Sequence, residues 1–140
     1  MNTNIQKITK GDQIYAIVIR QSLPQEGYNF ISDDKDSLQV GVNHYAANTT
    51  IKPHFHLPLE RALQDTLEVL HIDFGKCLLY IYDENQTRFF DTEIQTGDTL
   101  ILLKGGHSLK ILEKTKIIEV KQGPYLGPQK DKVVFHDPSL

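Results

Sequence analysis

Pro53-His54-Phe55-His56 sets two imidazoles two residues apart, and Glu68 and His107 follow them along the chain. On an extended strand, alternate side chains share a face, so His54 and His56 are expected to converge while Phe55 anchors the opposite face. Three neutral imidazoles and one carboxylate are a donor set that a borderline divalent cation accepts. A His-x-His pair taken alone is more often two hydrated or hydrogen-bonded side chains, so the weight falls on its combination with the two downstream residues.

The remaining composition narrows the classes. A chain of 140 residues is sized for one domain that buries roughly two thirds of its unfolded surface without staples, so a metal here is expected to serve function and not folding. The lone cysteine, Cys77, excludes an internal disulfide and a thiolate zinc site, and it reads as a small core residue. Residues 1–7 lack the apolar run of a signal peptide, and no stretch approaches the ~20 apolar residues of a span, so a cytoplasmic protein without membrane association is expected. A net charge of −3 is too small for a polyanionic partner. Lys110, Lys114 and Lys116 stand singly among apolar residues, as on a water-facing strand, and no nucleic-acid partner is expected.

Outward from the histidines, the pattern is one of short strands. Residues 13–20 are β-branched and aromatic with apolar side chains on both faces, which predicts a strand covered by two layers or by a second subunit; a homodimer is the expectation. Leu38, Val40, Val42 and His44 alternate with polar residues and glycine, the half-buried strand pattern. Residues 57–65 read as a loop able to overhang whatever His54 and His56 bind. Residues 66–72 resume a strand, and Asp73-Phe74-Gly75-Lys76 reads as a hairpin turn into 77–82. Further strands are expected at 88–91, 99–103, 108–113 and 116–121, with 132–135 as a short returning strand. Turn signals every eight to twelve residues without a sustained helical period predict an all-β sandwich or barrel.

His54-x-His56, then Glu68 with Gly75, then Gly97-Asp98 and Gly105-Gly106-His107, resemble the two sequence blocks of the cupin superfamily over about residues 48–107. The resemblance implies a double-stranded β-helix, or jelly-roll β-barrel, as a single small metal-binding cupin domain over 1–140 with its core at about 36–122. It implies one divalent metal ion, Fe, Mn, Ni or Zn, held by His54, His56, Glu68 and His107. The chain departs from the blocks in places. Asn48 stands where the first block has glycine, eleven residues separate His56 from Glu68, Leu103 replaces a proline, and the second block is one residue short. A longer insertion bulges as a loop at little cost. A one-residue slip threatens to turn His107 outward, which Gly105-Gly106 can correct through a positive φ or a bulge.

Such a centre leaves positions open for water, substrate or oxygen, and the resemblance therefore implies a metal-dependent enzyme of oxygenase, isomerase or hydrolase type. A small polar ligand, sugar-like or carboxylated, is the expected partner. The ending Ile118-Glu119-Val120-Lys121-Gln122-Gly123-Pro124-Tyr125 is similar to small cupins associated with cell-surface carbohydrate metabolism. Arg61 and Tyr80 are the candidate catalytic groups, and Arg61, Tyr82 and Gln122 the candidate substrate contacts, Arg61 by paired hydrogen bonds to an anion. Glu119 and Tyr125 are further candidates for the cavity wall. Alternation puts Leu70 and Ile72 on the face of Glu68 and His71 on the other. Two alternatives stand beside the enzyme: a non-catalytic cupin that binds a carbohydrate or other small molecule, and a metal-free sugar epimerase or isomerase, which needs a proton-transfer pair.

Overall fold

Ile5, Lys7 and Thr9 alternate with Gln6, Ile8 and Lys10, and these residues form the first strand, β1 (Ile5–Lys10), of a computed structural model that describes residues 4–24 and 28–140, Tyr28 and Asn29 through their backbone alone. It pairs antiparallel with β2 (Gln13–Ile19). The chain falls into two compact units, residues 23–64 and the remainder.

The unit of residues 23–64 contains β3 (Tyr28–Phe30) and β4 (Gly41–Asn43), an antiparallel pair. The acidic run between them is a turn built by side chains: the Asp33 amide donates to Asp36 Oδ2 at 2.8 Å, and Gln39 Nε2 donates to the Asp33 carbonyl at 2.9 Å. Partial burial of Leu38, Val40, Val42 and His44 follows the expected alternation, although only Gly41–Asn43 is paired as strand. Residues 49–64 form no regular structure. The strand expected at His54 and His56 is therefore absent, and Phe55 is no core anchor, being 84% exposed. Pro53 and Pro58 bracket the pair and remove two ladder donors, which disfavours pairing along this stretch.

The other unit continues with β5 (Glu68–Phe74), β6 (Lys76–Tyr82), β7 (Arg88–Gln95), β8 (Thr99–Leu102), β9 (Gly106–Ile111), β10 (Lys116–Lys121) and the four-residue helix α1 (Pro128–Asp131). The chain is thus mostly β-strand, in antiparallel sheets. One sheet runs β1-β2-β8-β5-β10 and the other β7-β6-β9. They face each other across a core of Ala16, Val18, Leu70, Ile72 and Leu100 on one side and Cys77, Leu79, Ile81 and Ile94 on the other. No ladder joins the two sheets among the described residues, so they form an open sandwich.

Three expectations need correction. Residues 73–76 are not a hairpin turn, because β5 pairs with β8 and β10 whereas β6 pairs with β7 and β9. The chain instead crosses between sheets there, with Gly75 at φ 104, where a Cβ would lie 2.7 Å from Thr115 Cα. Second, β2 needs no second subunit to cover it: β1 and β8 flank it, and Ala16, Ile17 and Val18 are fully covered within the chain, as the two-layer alternative expects. Third, residues 132–135 form no strand. Phe135 packs edge-on against Tyr82 with ring centres 5.0 Å apart, and the Tyr82 hydroxyl donates to Asp137 at 2.8 Å, so the C-terminal segment is held by side chains. Among the described residues, no helix is long and apolar enough to cross a membrane.

Candidate functional site

Glu68 begins β5 on the face that carries Leu70 and Ile72 inward, as the alternation requires, and His71 on the other face bonds Thr99 Oγ1 through Nδ1 at 3.0 Å. His107 lies opposite Ile81 in the facing sheet and shares its inward direction. The two side chains meet, with His107 Nε2 3.3 Å from Glu68 Oε2. The shortened second block therefore does not turn His107 away from Glu68. Gly105 takes φ 70 directly before the strand, a conformation glycine adopts freely, and a Cβ there would overlap the Tyr82 carbonyl oxygen.

A cavity of about 300 Å³ surrounds the pair, and Lys121, Asp131, Glu119 and Lys132 are among its walls. Its electrostatics centre on Lys121. The ammonium lies 3.1 Å from Asp131 Oδ2, 3.7 Å from Glu119 Oε1 and 3.9 Å from Glu68 Oε1. The hydrogen bond to Asp131 raises the Lys121 pKa, which keeps the group charged. His107 is pushed the other way: withdrawal from water lowers its pKa, against the pull of Glu68 and Glu119. Its imidazole is thus neutral near pH 7, with a lone pair available.

Strand β10 shows how sequence pattern and site differ. Ile118 and Val120 are the residues that burial would favour, yet they are 48% and 62% exposed. Lys121 pairs with Glu68 and Glu119 with Leu70 in the antiparallel ladder, so the charged residues share the inward face. An end of the sandwich that hydrates charge while aliphatic side chains stay outside is built for a polar occupant.

Of the other expected site residues, Tyr82 shares a second cavity with His107, and Tyr125 lies beside Lys121. Tyr80 and Tyr82 occupy the face of β6 opposite Leu79 and Ile81; the Arg88 guanidinium stacks 4.9 Å from the Tyr80 ring, and Tyr82 is engaged with Phe135 and Asp137. Gln122 is exposed and donates to the Gly123 carbonyl at 3.0 Å. Tyr125 is 62% exposed, with the Lys121 ammonium 5.4 Å from its ring centre. In the unit of residues 23–64, Arg61 Nη1 donates to the Leu59 carbonyl at 3.3 Å. His54 and His56 are exposed there with ring centres 5.4 Å apart. His54 Nδ1 is 2.9 Å from the Lys52 carbonyl, which can only accept, so Nδ1 carries a hydrogen and donates it.

Within each unit, among the described residues, no three His, Cys, Asp or Glu side chains form a group that could hold a metal ion. Bound at about 2.1 Å, two donors on a single cation lie roughly 3.0 Å apart at octahedral angles and roughly 3.4 Å apart at tetrahedral ones. The 3.3 Å between His107 and Glu68 falls in that range. Lys121, Asp131 and Lys132 were not among the expected site residues. For Lys121 a signal existed in the two-residue spacing of Glu119 and Lys121, which places both on one strand face.

The chain matches no protein-family model, no curated protein and no solved structure.

Proposed function

We propose that the chain is a divalent-metal-dependent enzyme of cupin type, a jelly roll in its strand order, acting on a small polar ligand in the cavity beside Glu68 and His107. The observation that carries this reading is the approach of a neutral imidazole and a carboxylate from facing sheets to 3.3 Å within an ionic cavity. Glu68 and His107 supply two donors, and the cupin resemblance assigns the other two to His54 and His56. A bound cation of this kind would supply Lewis acidity or an activated water. The protein's part is to hold His107 in its neutral form through partial desolvation, to fix Glu68 between two ladder partners, and to offer Lys121 as a fixed positive charge. Elemental analysis of untagged protein tests it. About one equivalent of metal is expected, lost in His107→Ala and in His54→Ala, with turnover abolished by chelation; retention of turnover after both treatments removes the reading. Saturable ligand binding without product, followed by calorimetry, would make the protein a binding module.

The same 3.3 Å contact favours a second reading, a metal-free sugar epimerase or isomerase. His107 would take a proton as base while the Glu68 carboxylate stabilises the imidazolium that forms. Activity that survives chelation and disappears in Glu68→Gln supports it. We further propose that the chain forms a homodimer, for which the exposed Ile118 and Val120 on the edge strand β10 speak. A monomeric mass in light scattering removes that part.

A further inference from the structure

We propose that Lys121 anchors a carboxylate group of the ligand, and that Asp131 fills that position from within the chain until the ligand displaces it. The proposal rests on the reading of the Glu68 and His107 cavity as the ligand site and adds the chemistry that the ligand carries.

Three carboxylates surround the Lys121 ammonium, and they are fixed very unequally. Glu68 lies in β5, hydrogen-bonded between β8 and β10, and Glu119 lies in β10 itself. Asp131, the nearest of the three at 3.1 Å, ends a single four-residue helical turn whose N-cap, Gly127, makes no side-chain capping bond. Residues 132–137 beyond it pair with no strand, and Val133 and Val134 are 80% and 84% exposed. The strongest contact of the lysine is therefore made by the carboxylate that the backbone holds least. Moving it opens one short turn and leaves both sheets intact.

A ligand carboxylate presents the ammonium with the same acceptor that Asp131 does. The exchange conserves charge. Four acids and three lysines line the cavity, a formal −1 with His107 neutral, and withdrawal of Asp131 brings the wall to zero before the anion enters. Lys104 and Lys132 also line the wall, Lys104 engaged with Glu84 at 3.1 Å, so Lys121 is the cation that withdrawal of Asp131 leaves short of its nearest acceptor. The Asp131 side chain is only 12% exposed and Lys121 23%, which places the exchange where water screens it weakly.

Calorimetric titration of the full chain with succinate, paired with hydrogen exchange read over residues 128–140, tests this. Wild type is expected to bind succinate with increased exchange in that segment. Asp131→Asn keeps the shape and removes the competing charge, so it is expected to bind about tenfold more tightly, the scale of one charge-assisted contact. Lys121→Met is expected to lose at least about tenfold, and Lys121→Arg to retain most of the affinity. A gain in Asp131→Asn cannot come from misfolding. Equal or weaker binding in Asp131→Asn, binding without a change in exchange over 128–140, or no binding in either protein overturns the proposal. Metal content that is lost in His107→Ala would in each case leave the reading of the cavity standing.

Discussion

The two histidine-bearing regions of the chain are held in opposite ways. His107 is the second residue of β9, which pairs with β6, lies two residues after Gly105 at φ 70, and meets Glu68 from the facing sheet. His54 and His56 lie in a stretch without ladder bonds, exposed, with one carbonyl contact at Lys52. Side-chain direction in the first region is imposed by pairing and packing; in the second no ladder imposes it. Alternation along a sequence states where side chains point only when a partner strand holds the backbone extended. Mutations should therefore separate the regions: changes near His107 disturb the fold, and a change at His54 leaves it intact.

The largest expected effect is Gly105→Ala. A Cβ there meets the Tyr82 carbonyl and lies 2.7 Å from the Tyr15 ring, and the residue must also hold φ 70. Left-handed strain plus overpacking amounts to about 3 kcal/mol, measurable as a lower urea midpoint. Gly11→Ala is the control, because Gly11 has a similar φ of 59 with no atom within 4 Å of the added Cβ. It should lose only about 1 kcal/mol. Equal losses would mean that contact with Tyr82 and Tyr15 does not set the entry to β9.

Asp98→Ala comes next. Asp98 is 3% exposed and accepts from Arg20 Nη1 at 2.9 Å, the Gln21 amide at 3.0 Å and the Gln95 amide at 3.1 Å. It ties β2 to the turn between the sheets, and its removal leaves a guanidinium and two amides short of a partner. A loss of about 2–3 kcal/mol is expected. Less than about 1 kcal/mol would show that water replaces the carboxylate at no cost.

His54→Ala lies near the other end of the scale. An exposed side chain with one local hydrogen bond should change stability by less than about 0.5 kcal/mol. Metal content or turnover lost at unchanged stability then reports on function alone. A large loss of stability would instead show that residues 49–64 are packed more firmly than their exposure implies.

Legibility followed the same division. Residues 116–121 were readable as a strand because β-branched residues alternate between turn signals, and the inward face of Glu68, Leu70 and Ile72 follows from period two. Gly75 was recognisable as a chain reversal but not as a corner between sheets, since a glycine with positive φ serves a hairpin and a crossover equally. β1 escaped notice because Lys7, Thr9 and Lys10 dilute its two isoleucines. At the site, Glu68 and His107 were legible from motif spacing. Asp131 was not, for it reaches Lys121 from a four-residue helix that no periodicity announces.

The smallest effect concerns the C-terminal segment. Hydrogen bonds from the Ser139 hydroxyl and amide, then from Tyr82, lower the Asp137 pKa to about 2 from a model-peptide value of 3.8. A depressed carboxyl contributes stability that is fully present above its unfolded value and is lost as pH falls through the folded one. The contact of Asp137 with Tyr82 should therefore hold above about pH 4 and weaken progressively towards about pH 2. Because Asp137 is only half-buried and its segment pairs with no strand, the change is expected in this segment and not in the global unfolding transition. Hydrogen exchange over residues 132–140 should rise across that window in wild type, while Asp137→Asn should show the raised exchange at every pH. A wild-type profile flat from pH 4 to pH 2 would mean that Phe135 against Tyr82, and not the carboxylate, fastens the segment, and the tail would then belong with the packed region of the molecule.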